Sequence, residues 1–296
     1  MPGQPDARWA WSVTAIGLVV WLAALVLVPA PLAARIFLLA PLVVVPRLIT
    51  LLPMRAWVGR IGGWPALVAA LPLVVAFALP AGPVAGVLAL PWLACALVGL
   101  AAATRHGLAN LPSILTPNRL ADLGIDVALG FWAVGATFAL LDRLGIDTGF
   151  SPAIVLLTAT HFHFAGFGLL AVASLLAVER RWVAASVAGL MAGIPLTALG
   201  FVLASNPISA AGALVTGLSG IGVAIALVSA RVAMRADWLA RVAGVALLVG
   251  MPMGIAWSMA ILAGVVFLDL DTMIRTHGAL NALAVLLVVL VGRRGS

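Results

Sequence analysis

Ten long apolar segments constrain this chain more than any other feature of its sequence. A helix needs about 20 predominantly apolar residues to cross the hydrocarbon core of a bilayer. Segments of about that length are separated by short connections, and they lie at residues 9–29, 32–52, 64–80, 84–104, 122–141, 152–177, 183–204, 208–230, 239–267 and 272–292. The sequence therefore predicts an all-α fold, a polytopic transmembrane helical bundle of about ten spans. We expect a single transmembrane domain over residues 1–296.

The composition excludes a soluble protein. Hydrophobic residues make up 65% of the chain and charged residues only 8%, whereas about 25% of residues are charged in an average soluble protein. The 16 cationic residues are all arginine and are spread over short connections. This distribution favours membrane lipid as a partner and excludes a nucleic-acid partner, because no basic domain is formed. The single cysteine, Cys95, excludes an internal disulfide.

Arginines are distributed unequally between the alternate ends of the predicted spans. Cytoplasmic connections of membrane proteins carry an excess of arginine and lysine. If the N-terminus is cytoplasmic, only Arg143 and Arg275 fall on the outer side, and Arg35 and Arg47 lie inside the second span. We therefore predict that both termini are cytoplasmic. The arginines on the cytoplasmic side are then Arg8, Arg55, Arg60, Arg105, Arg119, Arg180, Arg181, Arg231, Arg235, Arg241, Arg293 and Arg294.

The longest connection, residues 105–121, combines helical spacing with helix breakers. Its apolar residues recur at helical intervals, and Pro112 and Pro117 interrupt them. An amphipathic segment of this kind lies in the plane of the membrane surface. We predict a cytoplasmic interfacial loop over 105–121.

Two histidines lie in the middle of the sixth apolar segment. Polar side chains inside a membrane are costly and mark functional sites by default. His161 and His163 point about 200° apart on a regular helix, so they cannot both bind one ion. If the span enters the membrane at Pro152, His161 lies about 14 Å deep, close to the midplane. The simpler alternative is that these histidines only form hydrogen bonds across helices.

The last apolar segment carries a second polar pair. His277 and Asn281 are four residues apart and share one face of a helix. Counted from Asp271 at the outer face, they lie about 9 and 15 Å deep. We predict that His161, His277 and Asn281 line one cavity that opens toward the outer face and have the catalytic or transport role. A plainer alternative is a capped helix start, in which Asp271 pairs with Arg275.

Three further polar residues complete the predicted site. His163 and Thr158 share the sixth segment with His161, and Asp269 precedes the last segment on the outer side. We expect His163, Thr158 and Asp269 to bind the substrate.

The two histidine segments resemble those of a known family. The stretch LLTATHFHFAGF, residues 156–167, and the stretch THGALNA, residues 276–282, are similar to the two histidine motifs of YndJ-like bacterial membrane proteins. The resemblance implies a multi-pass protein of the bacterial cell (inner) membrane. It supports treating His161, His163, His277 and Asn281 as one group. The family has no established chemistry, although a transporter label is sometimes applied to it, so the resemblance implies no reaction.

Three classes of function remain open. The first is a carrier for a small molecule or ion, in which a histidine takes up and releases a proton during alternating access. The second is a membrane enzyme that depends on a divalent metal or haem and acts on a lipid or other apolar substrate. In that enzyme, His161 and His277 would be the metal ligands. The third is a bundle that serves a partner protein. We expect the carrier, because two histidines make an incomplete ligand set.

Overall fold

The computed structural model describes residues 7–52, 62–110, 117–229 and 237–291, and this part of the chain contains ten long helices and no strand. Each helix coincides with one of the ten predicted segments, so the predicted all-α fold is confirmed. Nine of the helices are long and apolar enough to cross a membrane, and the third is shorter, with 15 residues. The helices are α1 Ala7–Leu27, α2 Leu32–Leu51, α3 Trp64–Ala78, α4 Pro83–Asn110, α5 Pro117–Leu144, α6 Pro152–Glu179, α7 Arg181–Val202, α8 Asn206–Val228, α9 Asp237–Leu262 and α10 Leu270–Val291.

The connection between α4 and α5 is shorter than the predicted loop 105–121. Helix α4 continues to Asn110, and α5 already begins at Pro117. A proline suits the first position of a helix, which agrees with the start of α5 at Pro117. Residues 111–116 lie outside the described part of the chain. The cytoplasmic, interfacial position of this connection stays a prediction.

Three helices contain a short π-helical segment. These segments are Ala40–Val44 in α2, Phe162–Leu169 in α6 and Ile274–Gly278 in α10. A π-helical turn contains an extra residue and is frequent at functional sites. The segments in α6 and α10 coincide with the two histidine motifs: His163 and His277 lie inside them, and His161 immediately precedes the first.

The helix α9 runs through Pro252 without a break. The sequence suggests an interruption at residues 250–254, because the apolar run is too long for one straight span. Proline removes only one helical hydrogen bond, which membrane helices tolerate. The helix ends instead at Leu262, before the apolar stretch does. A mostly exposed connection, residues 263–269, leads to α10.

Contacts divide the chain into two compact units. Unit 1 comprises Met1–Leu108 and Leu129–His163, and unit 2 comprises Ala109–Ala128 and Phe164–Ser296. The helices α5 and α6 therefore each contribute to both units. That the two units make one transmembrane domain stays a prediction.

In unit 1, α2 packs against α1, α3 and the first part of α6. A Cβ atom at Gly17 of α1 would collide with the carbonyl oxygen of Leu42 in the π-helical segment of α2. At the end of α5, the buried Asp142 and the half-buried Arg143 form an ion pair with a nitrogen-to-oxygen distance of 2.7 Å. The guanidinium of Arg143 also donates to the carbonyl of Ala76 at 3.3 Å. An ion pair that is largely shielded from solvent therefore lies at this end of α5 and contacts α3.

In unit 2, α7, α8 and α9 approach one another closely through small residues. A Cβ atom at Gly212 of α8 would collide with the backbone of Thr197 in α7, and one at Gly244 of α9 would lie 2.8 Å from the carbonyl oxygen of Ala224 in α8. Small residues at such crossings allow membrane helices to pack backbone against backbone. Helix α10 then packs against α9.

Candidate functional site

The His163 side chain is completely buried in unit 1 and uses both ring nitrogens. Its Nδ1 lies 2.8 Å from the carbonyl oxygen of Ala159, one turn earlier in α6. Its Nε2 lies 3.0 Å from the indole Nε1 of Trp92 in α4. A carbonyl oxygen only accepts and an indole N–H only donates, so His163 is the neutral tautomer with its proton on Nδ1.

Aromatic rings and a glycine surround His163. The ring of Phe37 meets it edge to face, with centroids 5.0 Å apart, and the ring of Trp92 is nearly parallel to it, at 18°, with centroids 5.8 Å apart. A Cβ atom at Gly135 of α5 would lie 2.5 Å from its Nδ1, so only glycine fits there. The imidazole is therefore held on several sides within the unit. A substrate-binding role for His163 stays a prediction, and any ligand would have to displace one of these partners.

The His161 side chain differs from that of His163 in exposure. It is exposed, and its Nδ1 lies 2.8 Å from the carbonyl oxygen of Leu157. One turn earlier, the Thr158 hydroxyl donates to the carbonyl of Ile154 at 2.8 Å. The contrast between an exposed and a buried histidine agrees with the opposed directions that their spacing predicts.

The half-buried His277 connects α10 to α9 in unit 2. Its Nδ1 lies 2.7 Å from the carbonyl oxygen of Gly250 in α9. The Asn281 amide nitrogen lies 3.2 Å from each of its ring nitrogens, so the two side chains meet as their spacing predicts. Because Nδ1 faces a carbonyl acceptor, the ring proton of the neutral form lies on Nδ1.

Two glycines of α9 make room for this pair. A Cβ atom at Gly250 would collide with the Asn281 Oδ1, and one at Gly254 would lie 2.7 Å from Cε1 of His277. The sequence alone did not identify α9 as the helix that His277 contacts. The signal was present, because Gly250 and Gly254 have the spacing that permits close helix packing in membranes.

Asp269 caps the start of α10. Its Oδ1 accepts a hydrogen bond of 2.7 Å from the backbone N–H of Thr272, which holds the pKa of this carboxyl below its ordinary value. Asp271 and Arg275 form an exposed ion pair of 2.6 Å at i,i+4 spacing. The sequence analysis gave a capped helix start with an Asp271–Arg275 pair as the plainer alternative to a cavity. Both of these features are present, and so is the contact of His277 with α9. A substrate-binding role for Asp269 stays a prediction.

The described residues supply no complete set of metal ligands. Within the described ranges, no three His, Cys, Asp or Glu side chains come together as ligands. His277 directs its Nδ1 to a carbonyl oxygen, and His163 uses both ring nitrogens inside unit 1. The geometry of the described residues thus identifies no histidine as a metal ligand. His161 belongs to unit 1 and His277 to unit 2, so their shared cavity stays a prediction.

The YndJ-like protein family matches this chain over residues 35–285. The chain belongs to the YndJ-like family. His161, His163, His277 and Asn281 all lie inside the matched range, and the predicted family membership is confirmed. No curated protein and no solved structure matches the chain. This YndJ-like protein is a multi-pass helical membrane protein, with its two histidine motifs on π-helical segments or at their borders.

Proposed function

We propose that this YndJ-like protein is a carrier for a small molecule or ion that uses histidine protonation. The observation that carries the proposal is the half-buried His277, whose Nδ1 lies 2.7 Å from the Gly250 carbonyl of α9. Histidine is the side chain that gains and loses charge between about pH 5 and pH 8. A histidine that holds two membrane helices together changes that contact when its charge changes.

The surroundings of His277 suit a contact that forms and breaks. It lies in a π-helical segment, and the opposite helix contains Pro252 two residues after Gly250. Both features remove regular helical hydrogen bonds, so the backbone needs less energy to rearrange here than in an unbroken α-helix. Many carriers bind solute and coupling ion at discontinuous helices. Helix α9 is continuous through Pro252, so the π-helical segment of α10 is the irregular backbone at this site.

The proposal also includes the orientation and location of the protein. With both termini in the cytoplasm, the arginine-rich ends of the helices face the anionic inner leaflet of the bacterial cell membrane. Asp269, Asp271 and Arg275 then lie at the outer end of α10, and His277 lies below them. In this proposal the His277 site opens to the outer face, and His161 of α6 is a second residue needed for transport.

A solute screen in proteoliposomes tests the carrier function. The purified protein is reconstituted around a trapped pH-sensitive dye, and amino acids, sugars, carboxylates and inorganic ions are added outside one at a time. We expect at least one solute to change the internal pH in wild-type vesicles and to have no effect with His277→Gln. A His106→Ala variant serves as the matched histidine control and should behave as wild type.

Metal analysis and an optical spectrum of the same sample test the enzyme alternative. The carrier requires neither a stoichiometric metal nor a haem band. If no solute moves protons and the protein contains a metal or haem at one per chain, the carrier proposal is wrong and the enzyme takes its place.

A further inference from the structure

Exposed apolar side chains lie where α7 turns into α8 and where α9 leads into α10. Val202 is 68% exposed and Val266 is 91% exposed. Contiguous exposed apolar side chains mark an interaction surface. These two valines and their exposed neighbours form a surface that we name the apolar rim, which consists of Phe201, Val202, Leu203, Val265, Val266 and Phe267.

Both parts of the apolar rim lie at the same end of unit 2, because its helices alternate in direction. Helices α7 and α8 are antiparallel, since only residues 203–205 connect them. A Cβ atom at Gly217 of α8 would collide with Ile255 of α9, whereas one at Gly244, near the start of α9, would collide with Val228, the last residue of α8. Helices α8 and α9 are therefore antiparallel too, and the ends of α7 and α9 point the same way.

The apolar rim and the helices that lead to it contain no charge. No ionisable residue occurs from Trp182 to Ala230, or from Val242 to Leu268. Arginines lie at the opposite end of the same helices, where α7 begins at Arg181 and α9 carries Arg241 in its second turn. Arginine at the end of a membrane span lies among the lipid headgroups. The arginines therefore mark one surface of the bilayer, and the apolar rim points toward the other.

The helix lengths place the apolar rim at the far edge of the hydrocarbon core. From Arg181 to Val202, and from Arg241 to Leu262, the helix rises by about 32 Å at 1.5 Å per residue. The hydrocarbon core of a bilayer is about 30 Å thick. With the arginines at one headgroup layer, both helices end where the acyl chains of the opposite leaflet meet their headgroups.

Both helix ends turn back sharply and satisfy backbone groups internally. The N–H of Ser205 donates to the carbonyl of Gly200 at 2.8 Å, and the N–H of Val265 donates to the carbonyl of Ala260 at 2.8 Å. Gly264, just before Val265, has a φ of 69°. These bonds are those of a Schellman motif, which closes a helix without help from water. Such closure suits a place where water is scarce.

A tryptophan holds the longer connection against its own helix. The indole Nε1 of Trp257 in α9 donates to the carbonyl of Leu268 at 3.0 Å. Residues 263–268 therefore turn back to α9 and do not extend away from it. The side chains of Val265, Val266 and Phe267 are thereby kept beside the last turns of a membrane-spanning helix.

We propose that the apolar rim inserts among the acyl chains of the adjoining bilayer leaflet, at their boundary with the headgroups. The proposal goes beyond the carrier function and does not depend on it. Lipid is the occupant because the rim continues the apolar surface of the helices, on which Leu199 and Leu262 are also exposed. Asp269, the first ionisable residue after the rim, is exposed and lies at the headgroups.

Spin labels at single cysteines test the insertion in vesicles of dioleoylphosphatidylcholine. The only cysteine of the chain is first removed by Cys95→Ala. Val202→Cys and Val266→Cys then carry the labels, because both side chains are largely exposed. Val249→Cys, at an exposed position in the middle of α9, is the control for contact with lipid. Asp147→Cys, in the exposed connection between α5 and α6, is the control for contact with water.

Collisions of each label with molecular oxygen, which concentrates in hydrocarbon, and with a nickel chelate, which stays in water, are then measured. Because a polar solute enters an apolar medium at a high cost, we expect nickel collisions at Val202 and Val266 to be at least about threefold rarer than at Asp147. Oxygen collisions should be more frequent than at Asp147, as they should be at Val249. Labels at Leu203→Cys and Phe267→Cys repeat the measurement if a first variant fails to fold.

Two results would overturn the proposal. Nickel collisions at Val202 or Val266 as frequent as at Asp147 would show that this part of the apolar rim lies in water. Rare collisions with both reagents would show that protein covers the rim, whether a second copy of this chain or another segment of the same one.

Discussion

The indole Nε1 of Trp92 lies 3.0 Å from Nε2 of His163, and the histidine is completely buried. Two residues earlier, the His161 side chain is exposed, and its Nδ1 lies 2.8 Å from the carbonyl oxygen of Leu157. Adjacent histidines of one motif therefore occupy different environments. We interpret His163 as the residue that holds the helix in place.

Removal of the Trp92 donor should destabilise the protein. Trp92→Phe leaves Nε2 of His163 buried without its donor, which costs about 1–3 kcal/mol of unfolding free energy. Denaturant titration in detergent micelles measures the loss. The same change at Trp182, which is 49% exposed, is the control and should have little effect. Equal stability of the two variants would contradict the role of Trp92.

Alanine at Gly135 should destabilise the protein, whereas alanine at Gly130 of the same helix should not. A Cβ atom at Gly135 would lie 2.5 Å from Nδ1 of His163, whereas one at Gly130 would only meet Leu100 at 3.8 Å. Overpacking costs about 1–3 kcal/mol, and alanine without a clash favours the helix by about 1 kcal/mol over glycine. Opposite shifts of the unfolding temperature are expected. A Gly135→Ala protein as stable as Gly130→Ala would disprove the close packing.

The two ion pairs at helix ends should differ in their contribution to stability. The side chains of Asp142 and Arg143 are 6% and 14% exposed, whereas those of Asp271 and Arg275 are 65% and 63% exposed. Asp142→Asn leaves a largely shielded guanidinium without its counter-ion, at a cost of about 3 kcal/mol. Asp271→Asn should leave the unfolding free energy unchanged, because exposed pairs contribute little. The prediction fails if both variants unfold at the same denaturant concentration.

The proposed orientation predicts the side of each connection. Reporter fusions after Pro207 and after Leu270 should report the outer side, and a fusion after Glu179 should report the cytoplasm, because the arginine bias sets the orientation. Alkaline phosphatase and green fluorescent protein fusions at the same sites provide opposite readouts. A cytoplasmic signal at both Pro207 and Leu270 would refute the orientation.

The sequence predicts the helices well because membrane spans follow from length and hydropathy. All ten segments are found, and the spacing of His161 and His163 correctly predicts that they face different ways. The contact of His277 with Asn281 also follows from spacing, since it is local to one helix.

The partners from other helices could not be predicted in the same way. Trp92 lies 71 residues from His163, and Gly250 lies 27 residues from His277, so these contacts depend on helix packing. Apolar helices pack against many neighbours with similar energy, and periodicity does not select among them. The π-helical segments at Phe162–Leu169 and Ile274–Gly278 also have no signal in the apolar pattern, because they change the hydrogen-bond spacing and not the hydrophobicity.

Solute-driven proton uptake by His277→Ala tests the central claim most directly. Wild type, His277→Ala, His161→Ala and His106→Ala are reconstituted at equal density and given the solute that the screen identifies. The account predicts that uptake falls at least tenfold in His277→Ala and His161→Ala, one order of magnitude or about 1.4 kcal/mol, while His106→Ala transports as wild type. If a folded His277→Ala protein took up protons at the wild-type rate, the carrier proposal would be contradicted.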